Sequence, residues 1–174
     1  TDGVSNNCDL ISLSEEEFRQ VRWKQISYIP QGSMNSLNPV MRIEDQIIDA
    51  ILAHSSYSRS NAKQVVSNLL NVVGLSCEVA HLYPHELSGG MKQRAIIASA
   101  IALKPKLVVA DEPTTALDVT IQKMVLQTLI QIKKELSCTI IVVSHDMPVH
   151  AQIADRLVIM YAGKVMEIGP VDDI

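Results

Sequence analysis

Apolar side chains recur along this chain in two rhythms, and the alternation between them predicts its elements. Ser14-Glu15-Glu16-Glu17 has the spacing of a capping box, so a short helix is expected from Ser14 to about Trp23. Residues 25–30 read as a strand, and the turn-rich run Gln31-Gly32-Ser33-Met34-Asn35-Ser36-Leu37-Asn38-Pro39 opens a loop. Helical periods follow over 43–53 and 60–73; the second gathers Val65, Val66, Leu69, Leu70, Val72 and Val73 on one broad face and stops at Gly74. A further helix should be capped by Ser88 and run to about 103, because Pro105 blocks continuation. Leu107-Val108-Val109-Ala110 is the short, wholly apolar strand of a parallel sheet buried on both faces, and 139–143 repeats that signature. Between them 119–136 is amphipathic, with Ile121, Met124, Val125, Thr128, Leu129, Ile132 and Leu136 at spacings of three and four. A short helix over 147–154 precedes two strands, 157–161 and 164–168, which flank Ala162-Gly163 as a two-residue hairpin. The sum is an α/β chain: a partly parallel sheet with an inserted helical lobe.

Composition narrows the class. The 174 residues carry 15 Lys and Arg against 19 Asp and Glu, a formal charge of −4, with 47% hydrophobic positions. A chain of this size buries enough surface for a real core. The acidic balance and few aromatics (Trp23, Phe18 and four Tyr) supply neither a phosphate-attracting field nor a base-stacking platform, so nucleic acid is not an expected partner. The densest apolar stretch, 95–103, is far shorter than the roughly 18 residues of a spanning helix, so any membrane role is expected to be peripheral. Cys8, Cys77 and Cys138 form no CxxC pair and suit a reducing, cytoplasmic compartment. With neither a leader nor an initiator Met, Thr1 is expected to be an internal start.

Two short motifs carry chemistry. Asp111-Glu112 ends an apolar strand, at the edge where open α/β sheets bind ligands, and strand alternation would send the two carboxylates to different tasks. A like-charged neighbour is expected to raise the proton affinity of one of them, as a general base requires. The bland alternative is a solvated turn before Pro113. Leu87-Ser88-Gly89-Gly90-Met91-Lys92-Gln93-Arg94 puts a hydroxyl and two glycines at a helix start, where bare amides admit a phosphate; a flexible turn with a Ser cap is the plainer reading.

Taken together, these motifs resemble the nucleotide-binding subunits of ABC transporters. The signature motif is Leu87 to Arg94, the Walker B strand is 107–112, and the D-loop is Ala116-Leu117-Asp118. The switch histidine is His145 in Val143-Ser144-His145-Asp146, and the Q-loop glutamine is Gln31. Ser36-Leu37-Asn38-Pro39-Val40-Met41 followed by Asp45-Gln46-Ile47 is similar to the importers of dipeptides and oligopeptides and the related nickel importers.

The resemblance implies a P-loop NTPase-like α/β fold, incomplete at both ends, in three parts. Residues 1–31 would belong to the ATPase core and end at the Q-loop, 32–104 would form the helical subdomain with the signature, and 105–174 would complete the core. It implies ATP and Mg²⁺ as ligands: Asp111 would hold Mg²⁺ through water, Glu112 would polarise the attacking water, and His145 would contact the γ-phosphate. Gln31 would sense both the ion and the water while its loop meets the transmembrane permease subunits. Ser88, Gly89, Gly90 and Gln93 would face the nucleotide of a second ATP-binding subunit, and Asp118 would link the two sites of a head-to-tail dimer. The implied location is the cytoplasmic face of a membrane.

The pattern is expected to depart from the family at both ends, where Gly169-Pro170-Val171-Asp172-Asp173-Ile174 stops short of relatives and no P-loop is present. A P-loop needs Gly-x4-Gly-Lys-[Ser/Thr], and the residues five after Gly3, Gly32, Gly74, Gly89, Gly90, Gly163 and Gly169 are Cys8, Leu37, Val79, Arg94, Ala95, Ile168 and Ile174. The 174 residues alone are therefore expected neither to bind nor to hydrolyse ATP appreciably, since losing three or four charged hydrogen bonds removes roughly 5 to 10 kcal/mol. The sheet is also expected to expose apolar surface that invites self-association. Two alternatives stand beside an importer ATPase. One is a non-catalytic module that pairs with a complete subunit; the other is a non-transport ABC ATPase. The chromosome type of the latter carries a very long coiled coil where this chain has only residues 32–86. His81-x3-His85 has metal-ligand spacing but is interrupted by Pro84, which favours a polar loop, and Lys133-Lys134 suits a helix C-terminus.

Overall fold

The computed structural model describes residues 9–32, 35–115 and 117–174; Gly3, Cys8, Ser33, Met34 and Ala116 lie outside the described residues. Ser14 caps α1 (Glu15–Val21) through the expected box, its side chain taking the Glu17 amide while Glu17 reaches back to the Ser14 amide. β1 (Ile26–Ile29) follows and gives way at Gln31-Gly32 to the turn the sequence indicates, with Gly32 at φ 65°.

α2 (Ile43–His54) buries Ile43, Ile47, Ile48 and Ile51, all at 0–2% exposure, against α3 (Arg59–Val72). Each such side chain contributes about 1.5 to 3 kcal/mol by leaving water. α3 ends where Gly74 takes φ 68°, and the Leu75 amide returns to the Leu70 carbonyl at 2.8 Å. α4 (Gly89–Ala100) is capped by the Ser88 side chain at the Met91 amide; it stops earlier than expected, the residues up to Leu103 forming a turn before the left-handed Lys104. The apolar faces of α2, α3 and α4 join Ile29, Val108 and Ala110 of the sheet in one continuous core.

β2 (Leu107–Asp111) lies between β1 and β3 (Thr139–Val143), both pairings parallel. The register sets Ile29 beside Ala110 and Asp111 beside Val143, so the loops after all three strands emerge at one edge. The linking helix α5 (Val119–Leu136) is capped by Asp118, whose carboxylate accepts from the Thr120 and Ile121 amides.

The expectation that these strands are buried on both faces needs correction. Ile29, Val108 and Ala110 face the core, whereas Tyr28, Ile141 and Val143 are about half exposed on the other side. Among the described residues the sheet is packed on one face only, which leaves the apolar exposure that the sequence leads one to expect. α6 (Met147–Ile153) then leads to a separate antiparallel pair, β4 (Arg156–Tyr161) and β5 (Lys164–Pro170). Ala162 and Gly163, at φ 48° and 75°, make the two-residue turn as expected.

Candidate active site at the carboxyl edge of the sheet

Asp111 and Glu112 do diverge, though not by strand alternation. Glu112 has left the strand: its φ is 48° and its amide bonds to the Val143 carbonyl, so a left-handed residue turns the second carboxylate toward the loop after β3. Glu112 Oε1 accepts from His145 Nδ1 at 2.6 Å, and Oε2 accepts from Thr115 Oγ1 at 2.8 Å. The Glu112 side chain is mostly buried while His145 stays open to solvent.

These contacts reverse one electrostatic expectation. The hydrogen bond from His145 holds the Glu112 carboxyl below its ordinary pKa, with help from Thr115 and against the effect of burial. The same bond, with the Glu112 charge behind it, lifts His145 above its ordinary value. The neighbouring Asp111 does not set the proton affinity of Glu112. Asp111 engages another partner: Tyr28 donates its hydroxyl to Asp111 Oδ2 at 3.0 Å, which raises the pKa of that phenol.

A cavity of about 160 Å³ adjoins the pair, lined by Glu112, Thr114, Thr115, Gln122, Ser144, His145 and Asp146. The ring of His150 reaches back from α6 to the Ser144 carbonyl at 2.9 Å and pins the backbone just ahead of His145. Gln31 follows β1 at this same edge, two residues past the Ile29–Ala110 pairing.

The signature residues form the start of α4. Ser88 and Gly89 are exposed, while Gly90 is buried and Gln93 is only 4% exposed. A Cβ on Gly90 would lie 2.4 Å from Ile121 Cγ2, so close packing of α4 on α5 by itself demands glycine there. Arg94 turns away from the open end: its guanidinium donates to the Gly74 carbonyl at 2.7 Å and to the Val73 carbonyl, and its Nε to Gly90, tying the signature turn to the end of α3.

Sequence reasoning missed Thr115, Tyr28 and His150. Only Thr115 left a local signal, a hydroxyl three residues after Glu112 within a turn. The other candidates found structural partners. His81 meets Glu44 at 3.2 Å, His85 stacks on Tyr83, and Lys133 pairs with Asp155. His54 stacks on Trp23 beside an open groove of about 490 Å³ between α1 and the end of α2, which holds none of the expected chemistry. Burial, and then Arg19 and the other nearby cations, depress the pKa of His54.

The ABC transporter family profile matches residues 5–115. The oligopeptide transport ATP-binding protein OppD of Bacillus subtilis is 46% identical over 168 residues, which are 95% of this chain and 47% of that protein. The dipeptide transport ATP-binding protein DppD of the same organism is 44% identical, over 100% of this chain and 53% of its own length. OppD of Escherichia coli is 41% identical, over 97% and 51%. The chain thus spans about half the length of the curated relatives it matches. Among solved structures, the ATP-binding cassette MJ0796, described as dimeric and bound to ADP and Pi, superposes with a TM-score of 0.78 at 27% identity. That match covers 92% of this chain and 68% of the other. A second dimeric MJ0796 structure, described as a bacterial ABC transporter cassette, gives 0.77 at 28% identity, over 91% and 68%. With its α/β fold, its ordered motifs and these matches in agreement, the chain belongs to the ABC transporter family of ATP-binding proteins.

Proposed function

We propose that this chain is the catalytic and signature-bearing part of an ATP-hydrolysing subunit that powers a peptide importer, working as a head-to-tail pair with a second ATP-binding subunit. The observation that carries this reading is the 2.6 Å contact of His145 with Glu112, beside Asp111 at the carboxyl edge of the sheet. Phosphoryl transfer needs mainly positioning and charge stabilisation, and this cluster offers both. Glu112, kept ionised by His145 and Thr115, takes the role of orienting and polarising the attacking water. His145, exposed and with its proton affinity raised, is placed to donate a hydrogen bond toward the γ-phosphate.

Asp111 is the acid suited to Mg²⁺, with Gln31 near it at the same edge. Among the described residues no three acidic, His or Cys side chains gather into an ion cage. One carboxylate fits an ion that arrives with nucleotide phosphates and its own waters, which is how Mg²⁺ is commonly held. When bound, Mg²⁺ would neutralise phosphate charge; the chain's part is to orient Asp111.

Ser88 and Gly89, exposed at the start of α4, suit a nucleotide presented by the partner, with Gly90 and Gln93 buried beneath the turn. Asp118, already occupied as the α5 cap, would relay between the two sites. This assigns 1–31 and 105–174 to the ATPase core and 32–104 to the helical subdomain.

The peptide class rests on the named functions of OppD and DppD and on the stretch after the Q-loop. There Gln46 clamps the loop: its amide donates to the Asn38 and Met41 carbonyls, its oxygen accepts from the Asn38 amide, and Val40 stands out at 79% exposure. That rigid apolar tip is the surface we assign to contact with the permease, at the cytoplasmic face of the membrane. No helix among the described residues is long and apolar enough to cross a membrane. The test is Glu112→Gln in the full-length subunit: ATP-driven pairing is retained and turnover is lost, whereas wild-type turnover would remove Glu112 from its role.

A further inference from the structure

The contact of Tyr28 with Asp111 joins residues 83 positions apart. Register brings it about. Tyr28 pairs with Val109, two residues before Asp111 on the neighbouring strand, so the two side chains share a sheet face and the ring reaches diagonally along β2 to the carboxylate. The nearest neighbours of Asp111 on that face, Val109, Val143 and Ile141, offer no donor. Tyr28 is 56% exposed, so packing alone would be served as well by Phe; what the tyrosine adds is an oriented hydroxyl on one oxygen of Asp111.

We propose that Tyr28 is a positioning residue for the ion-holding acid: by donating to Oδ2 it fixes the rotation of the Asp111 carboxylate and commits the other oxygen to the hydrated divalent cation that accompanies ATP. This rests on the reading of Asp111 given above. Outer partners of this kind set ligand orientation, and their loss costs about 10- to 100-fold in metal affinity or activity. A contact relayed through water belongs at the low end, about tenfold.

The experiment uses Mn²⁺ as a paramagnetic probe, titrated into the full-length subunit loaded with a non-hydrolysable ATP analogue and followed by electron paramagnetic resonance. Wild type, Tyr28→Phe, Asp111→Asn and the double variant are compared, with thermal unfolding showing that all four are folded. Tyr28→Phe keeps the whole ring and removes only the hydroxyl. The expected result is that Tyr28→Phe weakens Mn²⁺ binding about tenfold and that the double variant binds no more weakly than Asp111→Asn alone. If Tyr28→Phe binds as wild type while Asp111→Asn loses the ion, the positioning role is overturned and the assignment of Asp111 stands. If the two losses simply add, the hydroxyl does not act through Asp111 and the proposal is again overturned. If Asp111→Asn binds Mn²⁺ as wild type does, the assignment of Asp111 falls, and the proposal with it.

Discussion

His145 Nδ1 lies 2.6 Å from Glu112 Oε1, and this contact shifts the proton affinities of the two groups in opposite directions. Glu112 titrates below its ordinary range and His145 above its ordinary 6.5, so a charged pair exists between the two values. Its contribution fades as pH falls through the lowered pKa of Glu112, and again as pH rises through the raised pKa of His145. A proton NMR titration of the His145 ring in the 174-residue chain should give a midpoint above 6.5 that drops back toward that value in Glu112→Gln. An unchanged midpoint in the variant would show that the pair does not form in solution.

Gly90 is held to glycine by Ile121, whose Cγ2 lies 2.4 Å from where a Cβ would stand. Gly90→Ala should destabilise the chain by about 1 to 3 kcal/mol in urea denaturation, the usual cost of overpacking. Pairing it with Ile121→Ala should make the double variant more stable than the sum of the two single losses. Strict additivity would mean that the two helices do not meet there.

Arg94 satisfies carbonyls at the end of α3 and at Gly90. Arg94→Met removes the donors, so stability should fall by about 0.5 to 1.5 kcal/mol, the net worth of a hydrogen bond whose best acceptor, the Gly74 carbonyl, is exposed. A thermal midpoint equal to wild type would remove Arg94 from that role.

Much of the architecture was legible in the sequence because local chemistry set it. The Ser14–Glu17 box, Gly74 ending α3, Ser88 before α4 and the Ala162-Gly163 turn each stand in the structure where the chain's own punctuation indicates. Legibility failed where a distant strand or helix decided the outcome. The apolar run of β3 resembles that of a buried strand, yet whether Ile141 and Val143 are covered depends on what packs over them, which periodicity does not encode. The separation of Asp111 from Glu112 comes from a left-handed residue rather than from the pleat, and Glu is not a residue that announces φ 48°. The Tyr28–Asp111 contact is a consequence of parallel register, and the glycine at 90 answers to Ile121 thirty-one positions away. Gln46 was one letter of a motif, and only its three hydrogen bonds show why the loop before α2 holds its shape.

In the proposed pairing, the exposed Ser88-Gly89 turn of one subunit acts on the nucleotide held against Glu112 and His145 of another. Hydrolysis by the full-length subunit carrying Ser88→Glu tests it most directly, with ATP uptake measured on the same preparation. A carboxylate at that turn should leave ATP uptake in place and cut turnover about a hundredfold or more, as losing a preorganised donor to a developing charge does. Turnover at the wild-type rate would contradict the account.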